Sequence, residues 1–364
     1  MAGLLHDILK EGVNAGASDI HIKENSPVHY RISGSLVDCN FVPDKAFLAA
    51  VLNEMITEPD HITAYRDHGD LDISHVEENV GRFRVNIHRE RGGQCLTLRH
   101  VKSRIMNVSE LGLPPVINRI ASEPRGIIIL SGTTGSGKST TMAAMLQYIN
   151  ENMNKHIITI EDPIEYEFQD ENCFFEQREV GIDTSSFNSA LKHALRQDPD
   201  VIMVGEMRDK NSFEAALQAA DTGHLVLTTL HSSTASQTIN RILDFYSKPE
   251  QEPIREALSI NLRAIIAQRL IPNALGDGVA PAVEIMLNNP SVRKLLYENH
   301  LEKLHTVIEG GRNEGMQSFN QSLLTLINNG VITEEDAMTN SNNPEQLKMN
   351  LKGIFIGGES QITG

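Results

Sequence analysis

At 364 residues the chain is long enough for two domains and a sizeable core, and its net charge of −16 disfavours unspecific nucleic-acid binding, which runs on phosphate neutralisation by Lys and Arg. The three cysteines, Cys39, Cys95 and Cys173, are far apart and form no Cys-x-x-Cys, which excludes a tetracysteine zinc site and fits reduced, half-buried thiols in a cytosolic protein. Residues 1–10 read as an amphipathic helix carrying Asp7 rather than as a signal peptide, and no apolar run approaches the ~18 residues that span a bilayer, so any membrane association is expected through a partner.

The first helix is expected over 3–15, ending near Gly16. Ile20 and Ile22 then alternate with polar neighbours, as do Val28, Tyr30 and Ile32, with a turn at Ser33-Gly34. Asp44 is placed to cap a helix whose apolar stripe is Phe47, Leu48, Val51, Leu52, Met55 and Ile56. Three more strands are expected near 70–76, 82–89 and 94–101, joined by turns over 77–81 and at Gly92-Gly93. Residues 1–101 thus read as a small α+β domain on antiparallel strands. Residues 102–115 read as a connector and hinge closing with Pro114-Pro115.

From residue 116 to 364 the pattern changes. Short apolar strands at 127–131, 157–161, 201–205 and 225–229 alternate with helices, the grammar of a parallel sheet covered on both faces. After about residue 250 the chain reads as mostly helical, with Leu258, Leu262, Ile265, Ile266 and Leu270 on one helical side and a hairpin at Gly276-Asp277-Gly278. A helical C-terminal region is expected over about 288–356, and the polar, glycine-rich residues 357–364 are expected to fray.

The first of these strands runs directly into Gly132-Thr133-Thr134-Gly135-Ser136-Gly137-Lys138-Ser139 and then into helix formers, Met142 to Leu146. Strand, glycine loop and helix are the context of a phosphate-binding P-loop. Glycines let backbone N–H groups turn around an anion, and the helix N-terminus adds partial positive charge. Lys138 would reach the β- and γ-phosphates of ATP and Ser139 would ligate Mg²⁺, making residues 132–140 the nucleotide cradle.

Ligands of open α/β sheets sit at the carboxyl ends of the strands. There the sequence places Glu161-Asp162-Pro163-Ile164-Glu165, Gly205-Glu206-Met207-Arg208-Asp209 and Leu230-His231, with His224 just before its strand. Phosphoanhydride hydrolysis needs a carboxylate near Mg²⁺, a group that activates water, and positive charge on the transition state. Glu206 suits the metal-side role together with Ser139. Glu165, thrown outward past Pro163, is the preferred base, with Glu161 as its competitor. Either histidine taken alone reads as a structural residue satisfied by a backbone carbonyl.

Seven stretches, in order, resemble the secretion and type IV pilus ATPase superfamily, and within it the pilus-retraction branch: Gly-Ala-Ser-Asp-Ile-His-Ile (16–22), the P-loop, Thr-Ile-Glu-Asp-Pro-Ile-Glu (159–165), Leu-Arg-Gln-Asp-Pro-Asp (195–200), Val-Gly-Glu-Met-Arg-Asp (204–209), Thr-Gly-His-Leu-Val (222–226) and Thr-Thr-Leu-His (228–231). The resemblance implies a PAS-like N-terminal domain and a RecA-like motor domain assembled as a homohexamer. It implies Glu165 as base, Glu206 as Walker B acid, and His224 and His231 in a histidine box near the nucleotide. It also implies arginines of the N-terminal domain on the nucleotide, here Arg84 and Arg99, a role suited to a permanently charged, fork-shaped donor.

Retraction rather than extension is suggested by the lack of a longer N-terminal region and of a four-cysteine site. Ser291-Val292-Arg293-Lys294-Leu295-Leu296-Tyr297-Glu298 corresponds to a short helix of retraction motors, sharing Arg293, Leu295 and Glu298, and Gly315-Met316-Gln317-Ser318-Phe319 is typical of both main retraction-type paralogues. The implied function is an ATP-driven motor that withdraws pilin into the membrane for twitching motility. It would work at the cytoplasmic face of the inner membrane against a platform protein, with a paralogous retraction ATPase as a further partner and no direct nucleic-acid contact. The alternatives are a related assembly or secretion ATPase or an accessory retraction motor, then a RecA-like nucleic-acid motor.

Overall fold

A computed structural model describes residues 2–32, 34–101, 104–276 and 278–354. Ser33 of the expected turn, Lys102 and Ser103 of the connector, Asp277 of the expected hairpin and the tail over 357–364 lie outside the described residues. The chain packs as two compact units, Met1–Arg104 with Glu165–Glu167, and Ile105–Ile164 with Phe168–Gly364.

The first unit contains α1 (Ala2–Asn14), β1 (Ala17–Lys23), β2 (His29–Ile32), β3 (Ser35–Asp38), α2 (Lys45–Met55), α3 (Pro59–His68), β4 (Asp70–Glu77), β5 (Gly81–Glu90) and β6 (Gly93–His100). The strands form one antiparallel sheet in the order β3-β2-β1-β6-β5-β4. The period-two alternation of β5 decides its two faces: Phe83, Val85 and Ile87 are fully buried, while Arg82, Arg84 and Asn86 point the other way. Leu5, Ile8 and Leu9 of α1 and the stripe of α2 pack into the same core. Each such side chain contributes roughly 1.5–3 kcal/mol on burial. Asp44 caps α2 by accepting from the Phe47 N–H at 2.7 Å. Helix α3 carries no apolar stripe and buries no residue; it is marked only by Pro59 at its start and Gly69 (φ +81°) at its end.

The second unit contains α4 (Val116–Ala121), β7 (Gly126–Ser131), α5 (Lys138–Asn152), β8 (His156–Glu161), β9 (Phe174–Glu179), α6 (Phe187–Ala194), β10 (Val201–Val204), α7 (Lys210–Asp221), β11 (Leu225–Leu230), α8 (Ala235–Leu243), α9 (Lys248–Asn261), β12 (Leu262–Pro272), β13 (Val279–Leu287) and α10 (Pro290–Tyr297). It continues with α11 (Leu304–Gly310), α12 (Phe319–Asn328), α13 (Glu334–Asn340) and α14 (Pro344–Leu351). Every residue of β7 is buried. Ile127 and Ile129 face one core, with α7 and α8, whereas Ile128 and Leu130 face another, with α4 and α5. That two-sided burial explains an unbroken apolar run in place of alternation.

Three expectations are corrected here. The sheet is mixed: in the order β13-β12-β7-β11-β10-β8-β9, all neighbours are parallel except the antiparallel pair β12–β13. Only Leu258 of the supposed helical side lies in a helix; Leu262, Ile265, Ile266 and Leu270 lie in β12. A strand buried on both faces shows no clean period of two, so its apolar spacing also matches a helix. The pairing of β12 with β7, more than a hundred residues away, decides for strand. The polar edge strand β9 carries too weak a pattern to be anticipated. The three cysteines, expected half-buried, are buried and free.

Candidate nucleotide-binding site

Strand β7 lies between β11 and β12, with Ser131 in register with Leu230 on one side and Ala267 on the other. The Gly132 N–H donates to the Leu230 carbonyl at 3.3 Å, and the loop then turns into α5. A side chain at Gly132 (φ +154°) would put its Cβ 2.6 Å from the Gln268 carbonyl oxygen, and one at Gly137 (φ +84°) would come 2.7 Å from Gln268 Nε2. Glycine is therefore imposed at these two positions by both conformation and close approach. Lys138 is buried and donates to the carbonyls of Gly132 at 2.8 Å and Thr133 at 3.0 Å. Its charge is thereby folded into the loop that precedes the positive end of α5.

Thr133, Thr134 and Gly135 are exposed at the loop tip, while Gly137, Ser139 and Thr140 are half-buried. Ser136 is 4 % exposed, and its hydroxyl, like that of Ser131, has no hydrogen-bond partner among the described residues. A buried hydroxyl without a partner costs free energy. At Ser136 it stands inside the glycine loop, where a phosphate oxygen would satisfy it. Gln268, a residue not anticipated from the sequence, braces this loop from β12: its Oε1 accepts from Thr141 Oγ1 of α5 at 2.7 Å. The mistaken helix over 262–270 hid it.

The ends of β10 and β11 bring the acid and one histidine together. The Thr229 hydroxyl donates to the Gly205 carbonyl at 2.6 Å, and the Met207 N–H donates to the Thr229 carbonyl at 3.2 Å. This cross-tie sets Glu206 beside His231, with carboxylate and ring nitrogen 3.7 Å apart. The other Glu206 oxygen accepts from Arg208, whose guanidinium is held above its ordinary range chiefly by that bond. Arg208 stood in the recognised 204–209 stretch without an assigned role. The two groups expected to hold a cation, the Ser139 hydroxyl and the Glu206 carboxylate, are hard oxygens of the kind Mg²⁺ takes, and one oxygen of that carboxylate is engaged by Arg208.

The remaining candidates lie elsewhere. Glu161 is buried, and its Oε1 accepts from Thr159 at 2.6 Å and from Gln177 at 3.1 Å. Glu165 is exposed, in the segment Glu165–Glu167 that groups with the first unit. His224 stands at the amino end of β11, one strand length from His231; its carbonyl accepts from the first residue of β7 and its ring meets the Ala219 carbonyl at 2.9 Å. The structure does not bring it to the glycine loop of its own chain, because that loop leaves the carboxyl end of the sheet.

In the first unit, Arg84 and Arg99 are directly opposite each other on β5 and β6. Arg99 donates to Asp19 at 2.7 Å, whereas Arg84 makes no hydrogen bond or ion pair among the described residues. Burial works to raise the Asp19 carboxyl, but hydrogen bonds from Arg99 and Ser18 outweigh it and hold the group below the ordinary range.

A Gly-x₄-Gly-Lys-Ser loop between a buried parallel strand and a helix, with a carboxylate at a neighbouring strand end, defines a P-loop nucleoside-triphosphatase. Among such proteins, the chain belongs to the type II/IV secretion system protein family, which it matches over residues 1–343. It is 37% identical over 342 residues to the type IV pilus retraction ATPase PilT of Pseudomonas aeruginosa, spanning 94% of this chain and 99% of that one. To the type IV pilus ATPase PilU of the same organism it is 36% identical over 358 residues, spanning 97% and 92%. A crystal structure of the pilus retraction motor PilT with bound ADP superposes with a TM-score of 0.87 at 41% identity, covering 94% of this chain and 98% of the other.

Proposed function

We propose that this protein is the ATP-hydrolysing motor of type IV pilus retraction, drawing pilin out of the filament and so driving twitching motility. The observation that carries this reading is near full-length similarity to a retraction ATPase, joined to a glycine cradle that holds a buried, unpartnered Ser136 hydroxyl and the Lys138 ammonium. Residues 132–140 hold ATP. Ser139 and Glu206 hold Mg²⁺, which neutralises charge on the transferred phosphoryl group when bound. His231 stays with Glu206 at the γ-phosphate side.

Glu165 is the water-activating base; its rival Glu161 already has its carboxylate engaged by Thr159 and Gln177. Arg84 and Arg99 contact the phosphates in an assembled homohexamer. Arg84 is the freer of the two, since Arg99 is tied to Asp19. The domain division is 1–101, PAS-like, 102–115 as hinge, and 116–364 as a RecA-like motor. An antiparallel sheet with its first strand beside its last supports the PAS-like assignment. The motor works at the cytoplasmic face of the inner membrane against a platform protein; among the described residues no helix is long and apolar enough to cross a membrane.

The chain matches a second pilus ATPase, PilU, to nearly the same extent, and the second reading is an accessory motor that acts only beside another retraction ATPase. Expression of this gene alone in a strain lacking its retraction ATPases separates the two. Restored retraction supports the primary motor, and restoration only alongside a second ATPase supports the accessory one. ATP hydrolysis stimulated by DNA would overturn both.

A further inference from the structure

Glu284 lies in the middle of β13 and is 2 % exposed, a carboxylate in a place where an apolar side chain would pack. Burying a charge in this way costs stability unless it is paired and bonded. Burial pushes its carboxyl up, against the opposing influence of the Ala235 N–H, His305 and Arg269. Its Oε1 accepts from the backbone N–H of Ala235 at 2.7 Å. Ala235 is itself fully buried and is the first residue of α8. That N–H is one of the first-turn donors a helix cannot satisfy internally.

The position of this bond relates it to the nucleotide site. Residues 231–234 join β11 to α8, and they start with His231. At their upstream end, the Leu230 carbonyl accepts from Gly132 of the glycine loop. At their downstream end stands the Ala235–Glu284 bond. Between the two, Ser232 and Thr238 share a hydroxyl bond of 2.7 Å, the Ser233 N–H donates to Gln237 at 3.2 Å, and Thr234 caps α8. Glu284 is also in register with Ala267, which is in register with Ser131, the last residue before the glycine loop. One row across three strands thus ties the base of the nucleotide cradle to the anchor of the histidine loop.

We propose that Glu284 is a positioning residue for His231: its carboxylate fixes the first turn of α8, and with it the short loop that carries His231 toward Glu206. The inference rests on the ATPase reading above and assigns a role to a side chain outside the nucleotide site.

The test uses the full-length protein with ATP turnover, nucleotide affinity from a fluorescent ADP analogue, and particle mass by light scattering. Glu284→Gln keeps an oxygen acceptor for the Ala235 N–H and is expected to retain at least about half of wild-type kcat. Glu284→Leu removes the acceptor and should lower kcat about tenfold with nucleotide affinity nearly unchanged. Ala235→Pro removes the donor at a helix position where proline is accepted, after a residue, Thr234, already extended (φ −146°, ψ 164°), and should give the same split.

The deciding measurement is the double-variant cycle with His231→Ala. If Glu284 acts through His231, adding Glu284→Leu or Ala235→Pro to His231→Ala costs little more than His231→Ala alone. Losses that multiply in full, or wild-type kcat in a folded Glu284→Leu, overturn the proposal. Should Glu284→Leu fail to fold, Ala235→Pro makes the same comparison. Wild-type protein and Glu206→Gln in the same assay report on the ATPase reading separately, since that reading fails only if wild-type protein does not hydrolyse ATP.

Discussion

Glu206 and His231 face each other across 3.7 Å at the ends of two adjacent parallel strands, held there by the bond from the Thr229 hydroxyl to the Gly205 carbonyl. Arg208 occupies the other oxygen of the same carboxylate. Glu206 is thus engaged from both sides at the strand end, by Arg208 on one oxygen and by the His231 ring on the other. Glu206→Gln is expected to retain ATP binding while turnover drops about 100-fold or more, the scale of losing a group that acts on developing charge. The check is ATP binding by calorimetry beside steady-state phosphate release; wild-type turnover in the variant would remove Glu206 from the metal-side role.

Lys138 supplies the one buried ammonium of the glycine loop, held by the carbonyls of Gly132 and Thr133. Lys138→Ala should abolish measurable nucleotide binding, since neither the loop amides nor the α5 N-terminus replaces a full positive charge against a triphosphate. A titration with ATP and Mg²⁺ that returns wild-type affinity would contradict the cradle as assigned.

Arg84 and Arg99 are neighbours in one ladder but differ in commitment, and their substitutions should part accordingly. Arg84→Ala should leave thermal stability unchanged and reduce turnover. Arg99→Ala should also destabilise the fold, by about 1 kcal/mol, because Asp19 is left buried without its main hydrogen-bond donor. The sign of the pH dependence follows from the depressed Asp19 carboxyl. Its stabilising contribution is present above the ordinary Asp value of about 3.9 and is lost as pH falls through the folded value. Without Arg99 the effect of burial is opposed less, so acid unfolding followed by circular dichroism should set in at higher pH. An unchanged acid transition would show that the pair does not stabilise the first unit.

His305 and Glu309 form an i,i+4 pair at 3.4 Å on α11. The bond to Glu309 raises the His305 imidazolium above its ordinary range, while the same bond lowers the Glu309 carboxyl. The histidine's contribution is therefore complete below about 6.5 and disappears as pH rises through its folded value. His305→Ala should lower the melting temperature at about pH 6 and leave it unaltered at about pH 9. With the His305 side chain half exposed, the difference corresponds to less than about 1 kcal/mol. An equal loss at both pH values would assign His305 a packing role instead.

The phosphate site was legible because its signal is local. Gly132, Gly135 and Gly137 lie within six residues, and an apolar strand before and a helix after are all that a P-loop needs. Glu206 and His231 could be placed for a related reason, since a short apolar run followed by a polar residue marks a strand's carboxyl end. The two histidines were already set apart in the sequence, one just before its strand and one just after it. His224 precedes β11 and His231 follows it, so they stand at opposite edges of one sheet.

The amino-acid sequence by itself determined the P-loop, the antiparallel character of the first unit and the parallel core around β7. Tertiary structure alone decided that 262–272 is a strand, that Gln268 braces the glycine loop and Glu284 the start of α8, and that Glu161 is spent on Thr159 and Gln177. The reason is range. A cradle of backbone amides is encoded by adjacent residues, whereas the partner of a buried polar side chain is set by strand pairing between segments far apart in the chain, which no local pattern records.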